Sequence, residues 1–143
     1  MFKLRKIFNK HNNAPELEIQ KISYESFGRR DRIYVLEEGL LIHTPLVESD
    51  ERIYYLCSGT VNEFDDIRTV ECFRITPDMI FEATCSDNYC PNVGDKFTLV
   101  SDEDKVGYVR VTRTTSGASD GFFVGVEDWS KKRTALVRFH CKQ

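Results

Sequence analysis

The sequence predicts an all-β protein, a small β-barrel or sandwich with an extended N-terminal arm. Three observations lead there. The last third alternates short β-prone runs with tight turn signals, as in Val93-Gly94-Asp95 before Lys96–Val100 and Ser116–Gly121 before Phe122–Val126. Polar and apolar residues alternate through Thr69–Ile75 and Thr134–His140, the period of a half-buried strand. The first ten residues carry Lys3, Arg5, Lys6 and Lys10 with no acid, in a chain of formal net charge −3, so the other 133 residues carry −7.

Taken in order, residues 1–18 read as the arm and 19–143 as one β-rich domain. An arm with Phe2, Leu4, Ile7 and Phe8 among basic residues suits docking on a separate, acidic surface, so Phe2, Lys3, Leu4, Arg5, Lys6, Ile7, Phe8 and Lys10 are the candidate partner-binding residues. Glu16–Ile22 is a short extended segment leading into the body, and Ser26–Asp31 a charged turn. Arg32–Leu36 and Leu40–His43 flank Glu37-Glu38-Gly39 as a hairpin. Thr44–Asp50 is loop, Arg52–Cys57 strongly β-prone, and Ser58–Asp66 an acidic loop. Thr76-Pro77 has the form of a helix start, yet Met79-Ile80-Phe81 equally extends as a strand. Period-2 rows place Val109 and Val111, then Phe122, Val124 and Val126, then Ala135, Val137 and Phe139 in the core, with Arg110, Thr112, Arg138 and His140 facing away. No repeat long enough for a solenoid and no low-complexity tract is present.

Composition bounds the function. With 143 residues, 41% hydrophobic, 12% aromatic and 30% charged, the chain can bury a core without staples. No apolar run spans a membrane, and the start lacks the apolar stretch of a secretory signal. An acidic body disfavours broad nucleic-acid binding, which needs a continuous basic surface. The five cysteines, Cys57, Cys72, Cys85, Cys90 and Cys141, are read as free thiols of a reduced, intracellular protein. Cys85 and Cys90 have spacing that zinc tolerates but no second Cys/His pair, so no metal or other cofactor is expected. His11, His43 and His140 are scattered, His140 and Cys141 point to opposite faces of a strand, and Asp102-Glu103-Asp104 lacks calcium-loop spacing. No catalytic motif is present, and a non-enzymatic role is expected. The alternative is a soluble β-barrel module binding oligonucleotide or peptide through Tyr34, Tyr54, Tyr55 and Tyr108.

Ile75–Glu82, then Val93–Leu99, then Gly121-Phe122-Phe123-Val124-Gly125-Val126 resemble the small β-barrel decoration (cement) proteins of tailed-phage heads. There a Val-Gly-Asp entry opens a barrel strand and a Gly-x-x-Val-Gly-Val strand comes near the end. The resemblance covers residues 75–140, about half of the chain. It implies a virion structural protein on the outer surface of the head, assembled in the host cytoplasm. Its partner would be the major capsid protein, with the protein as a homotrimer and neither nucleic acid nor membrane bound.

Overall fold

Two antiparallel sheets, packed face to face, account for every strand in the computed structural model. The structure describes residues 2–7, 15–23, 32–42, 52–86, 90–101, 109–115, 119–127, 129 and 133–140. Eleven strands run in chain order: β1 (Phe2–Ile7), β2 (Leu17–Lys21), β3 (Ile33–Glu37), β4 (Leu40–Ile42), β5 (Ile53–Phe64), β6 (Ile67–Arg74), β7 (Met79–Thr84), β8 (Lys96–Ser101), β9 (Val109–Thr114), β10 (Gly121–Glu127) and β11 (Thr134–Phe139). The larger sheet has the order β1-β7-β11-β10-β8-β9, the smaller β2-β6-β5-β3-β4. The fold is an all-β sandwich, and neither sheet closes into a barrel.

The two sheets share one connectivity. With β2–β6 and β7–β11 each taken as five strands in chain order, both place them first, fifth, fourth, second, third. In both, the residue after the first strand makes an isolated parallel bridge to the third, Ile22 to Leu41 and Cys85 to Val111. Individual backbone bonds coincide as well. Ile22 N donates to Arg68 O at 3.0 Å as Cys85 N does to Arg133 O at 2.9 Å. Cys57 N donates to Arg32 O at 3.0 Å as Phe123 N does to Asp95 O at 2.8 Å. Ile75 N to Tyr54 O and His140 N to Asp120 O are both 2.9 Å. The fourth strand of each unit bulges at the same place, after Cys57 and after Phe123. The chain is thus one topological unit built twice. Ile19 is equivalent to Glu82, Cys72 to Val137 and Tyr54 to Asp120, a duplication that shared side chains do not advertise.

The main core lies on the buried face of the larger sheet, where Phe81, Ala83, Phe97, Val111, Phe123, Ala135, Val137 and Phe139 are at most 1% exposed. One face of the smaller sheet, with Ile33, Val35, Tyr54, Leu56 and Phe73, completes it. The opposite face of the smaller sheet holds a second cluster, Tyr34, Tyr55, Cys57, Val70 and Cys72 with Ile22 and Leu41. Phe139 is the aromatic hub, its ring centroid 4.9 Å from Tyr54, 5.3 Å from Phe97, 5.7 Å from Phe81 and 6.0 Å from Phe2.

Three expectations are corrected. Residues 2–7 are not an arm: β1 pairs antiparallel with β7, and Phe2 and Ile7 are buried among core residues of the same chain. The run alternates Phe2, Leu4 and the basic residues well enough to pleat, and burying a phenylalanine and an isoleucine there is worth about 1.5–3 kcal/mol each. Ser58–Phe64 is not loop but the second half of β5, paired with β6 down to Phe64↔Ile67. The acidic residues of that stretch sit on an exposed hairpin, where charge does not oppose strand formation. In β10 the buried side chain is Phe123, whereas Phe122 and Val124 are half-buried and Val126 is 40% exposed. Phe122 and Phe123 make both rows apolar, so alternation alone cannot choose. Gly121 decides the register: a Cβ there would stand 2.0 Å from Arg138 O and 2.6 Å from a Phe97 ring carbon, a place only glycine fits. Val111, Ala135, Val137 and Phe139 are buried as expected, while Val109's side chain lies outside the described residues.

The hairpin at Glu37–Leu40 forms where expected. Glu38 and Gly39 take φ of 52° and 79°, the left-handed pair of a two-residue turn that matches strand twist. The β5–β6 hairpin turns on Asp65 and Asp66 at φ 49° and 63°, without a glycine. Aspartate tolerates that region through its short polar side chain.

Candidate partner-binding surface

Of the residues expected to anchor a partner, Phe2 and Ile7 are spent on the core, and Leu4 packs partly against it. Arg5 Nη1 meets Glu82 Oε2 at 2.8 Å across the β1–β7 pair. Lys3 and Lys6 are exposed, and Phe8 and Lys10 lie outside the described residues. The six described members of the set thus form one edge strand, with Phe2 and Ile7 turned inward and Leu4 partly so.

Three of the four tyrosines of the alternative reading do not offer a stacking platform. Tyr34, Tyr54 and Tyr55 are buried, and Tyr108 lies outside the described residues. Burial first, then Asp120, holds the Tyr54 phenol well above its usual range. Burial first, then Glu18, which accepts from Tyr55 Oη at 2.7 Å, pushes Tyr55 up to about 12. Neither face of these rings is available to a base.

A dense buried polar cluster around Asp120 ties the two units together. Asp120, 1% exposed, accepts from Arg52 Nη1 at 2.7 Å, from Tyr54 Oη, from Thr98 Oγ1 at 2.9 Å and from Leu99 N at 2.8 Å. Arg52 and Tyr54 come from the first unit, Thr98 and Leu99 from the second, so each carboxylate oxygen faces a different sheet. Asp120 and Tyr54 are equivalent positions, and they bond each other where the units meet. With its lone pairs taken up by protein donors, the carboxylate acts as a crosslink and not as a catalytic base.

The described cysteines, Cys57, Cys72, Cys85 and Cys90, are free thiols, and Cys141 lies outside the description. Cys57 and Cys72 are opposite one another on β5 and β6, and burial, then the thiol–thiol and Glu18 neighbours respectively, pushes each up to about 12. They are protonated and shielded at neutral pH. His140 is exposed beside the Phe122 ring at 5.5 Å, and His11, His43 and residues 102–104 lie outside the described set. Among the described residues no group of three or more His, Cys, Asp and Glu side chains converges as a metal site, and no helix is long and apolar enough to cross a membrane.

What the fold leaves open to solvent is the outer part of the smaller sheet's core-side face, beyond Phe73. Leu17 and Ile19 on β2 are 52% and 62% exposed, and Phe64 and Ile67 at the β5–β6 turn are 79% and 49% exposed. The pairings Leu17↔Phe73, Ile19↔Glu71, Lys21↔Thr69, Asn62↔Thr69 and Phe64↔Ile67 put them all on the same side. At the turn end a pocket of about 390 Å³ is lined by Lys21, Ile22, Ser23, Leu40, Asp66, Ile67 and Arg68. Apolar side chains framed by Lys21, Glu71 and Asp66 form the kind of patch that binds protein. Sequence reasoning missed this surface because Leu17 and Ile19 read as a short extended segment leading into the body and Phe64 as part of a loop.

No protein-family model matches the chain, and no curated protein or solved structure is similar to it.

Proposed function

We propose that the protein is a non-enzymatic structural protein of a virion, which decorates a tailed-phage head by binding the major capsid protein. The observation that carries this reading is the exposed apolar patch of Leu17, Ile19, Phe64 and Ile67, a surface suited to a protein partner on a chain whose Tyr34, Tyr54, Tyr55 and Asp120 are committed to its interior. The resemblance of residues 75–140 to decoration proteins supports the identity of that partner. Burial of Tyr34, Tyr54 and Tyr55 takes away three of the four residues on which nucleic-acid or peptide stacking would have relied.

The partner contact belongs to the smaller sheet in this reading, not to the N-terminal residues, and repetition over a trimer multiplies a modest single-site affinity. Capsid shells of the virus that encodes the chain, mixed with the purified protein and sedimented, should carry it down saturably at a fixed ratio to capsid subunits. Phe64→Asp should weaken that binding at least tenfold without lowering the melting temperature, because the side chain is already in water. No sedimentation of the unaltered protein with shells would overturn the proposal.

A further inference from the structure

The duplicated unit contains a template for its own ligand. In the second unit the outer edge of the first strand, β7, is occupied: β1 pairs along it, with Lys3 opposite Glu82 and Leu4 opposite Phe81. The equivalent edge in the first unit is that of β2, which ends the smaller sheet. Apart from the bridge of Ile22, just past the end of β2, to Leu41 of β4, no described strand lies against it. Ile19, the equivalent of Glu82, stands beside that vacant lane with 62% of its surface in water.

The backbone of β2 is oriented to accept a strand. Ile22 N donates toward β6, to Arg68 O, and Ser23 N donates the other way, to Leu41 O. Strand alternation then turns the backbone N–H and C=O groups of Gln20 and Glu18 toward β6, and those of Lys21, Ile19 and Leu17 toward the free edge. Protected edges carry inward charges, proline or a bulge at such positions. β1, the outermost strand of the other sheet, is guarded in this way by Lys3, Arg5 and Lys6. On its exposed side β2 instead presents Leu17 and Ile19, with Lys21 at its end, while Glu18 on the opposite side is taken up by Tyr55.

We infer that the free edge of β2 is a strand-docking site, filled by an extended segment of the partner protein that adds antiparallel to β2 as β1 adds to β7. The inference rests on the proposed function for the identity of that partner, the capsid shell protein. Main-chain bonds to Leu17, Ile19 and Lys21 supply the affinity, and apolar side chains of the segment beside Leu17 and Ile19 supply the preference. The absence of an acid at the position of Glu82 sets the chemistry of the occupant: where β1 sets Lys3 opposite Glu82 and pairs Arg5 with it, the strand on β2 offers an aliphatic or aromatic residue to Ile19.

Ile19→Pro separates this from a general surface effect. It removes an N–H that faces the free edge and leaves the ladder to β6 intact, the placement that edge strands tolerate. The probe is a fluorescein-labelled peptide of alternating valine and threonine with terminal lysines for solubility, beside the same peptide N-methylated on alternate residues. The full-length protein should bind the first peptide and not the second by fluorescence anisotropy. Ile19→Pro should bind the first at least tenfold more weakly, and should lose shell binding to the same degree at an unchanged melting temperature. Equal binding of both peptides, or shell binding by Ile19→Pro equal to that of the unaltered protein, overturns the inference while leaving the decoration role standing. Peptide binding that Ile19→Pro abolishes, in a protein that ignores shells, supports the docking edge and fells the decoration role instead. A dimer by light scattering that Ile19→Pro dissolves would place a second copy on the edge and overturn the shell segment as its occupant.

Discussion

The two five-stranded units follow the same path through space, yet they differ in what they enclose and in what they leave uncovered. The second unit, β7–β11, packs phenylalanines at Phe81, Phe97, Phe123 and Phe139 around one hub and has its first strand sheathed by β1. The first, β2–β6, fills the equivalent interior with Tyr34, Tyr55, Cys57, Val70 and Cys72, and no described strand pairs along the outer edge of Leu17–Lys21. Among the described residues one unit is finished by its own chain; the other ends in an open edge and an apolar patch. Backbone connectivity is thus compatible with quite different side-chain roles, and the proposed partner contact falls on the less complete unit.

The largest effects should come from undoing the sheath. Deleting residues 1–8 removes Phe2 and Ile7 from the core, and Phe2→Ala alone should cost about 3–5 kcal/mol in urea unfolding. A dispensable arm would instead tolerate the deletion with an unchanged midpoint. Phe139→Ala, at the hub of the same cluster, should cost a similar amount.

The crosslink between units comes next. Asp120→Ala leaves Arg52 and the Tyr54 hydroxyl without their shared acceptor and should cost about 3–5 kcal/mol. Tyr54→Phe, at the equivalent position, loses only one hydrogen bond and should cost about 0.5–1.5 kcal/mol. If Asp120→Ala were the milder of the two, the carboxylate would not be what joins the sheets.

A smaller contrast lies in pH dependence. Cys57 and Cys72 occupy positions that are Phe123 and Val137 in the second unit, so the first unit alone titrates there. Both thiols have a folded pKa raised from 9.0 to about 12, so the unfolded chain gives up protons between those values that the folded chain keeps. The stability they contribute is complete below pH 9 and falls as pH rises toward 12. The Cys57→Ala, Cys72→Ala double variant should flatten the melting temperature between pH 9 and 10.5, at some cost in packing. Brief alkylation of the native protein at neutral pH should label Cys90 and spare Cys57, Cys72 and Cys85, as their burial dictates.

The sandwich was readable from the sequence where local rules decide the structure. Glu38-Gly39 announces its hairpin, and Ala135, Val137 and Phe139 announce their face, because turn chemistry and period-2 burial act within a few residues. What was not readable depends on distant partners. Phe2 and Ile7 look like anchors for another protein until β7, more than seventy residues on, is seen beside them. Asp120 sits in a stretch that reads as an ordinary turn, and only the fold delivers Arg52 and Tyr54 to it. The duplication itself was hidden because equivalent positions hold unlike side chains, Ile19 against Glu82 and Tyr54 against Asp120, while the hydrogen bonds that repeat are all main-chain. The exposed face was hidden for a related reason: Leu17 and Ile19 obey the pattern of a buried row but lie beyond the area that the larger sheet covers.

Amide hydrogen exchange along β2 and β7 tests the contrast between a bare and a sheathed edge most directly. The account predicts an alternation in β2, with the Glu18, Gln20 and Ile22 amides protected by β6 and the Ile19 and Lys21 amides exchanging fast. In β7 the equivalents of the fast pair, Glu82 and Thr84, should differ from them, Glu82 being protected beneath β1. An Ile19 amide as slow to exchange as that of Glu82 would mean that the edge of β2 is already covered, and would contradict the account.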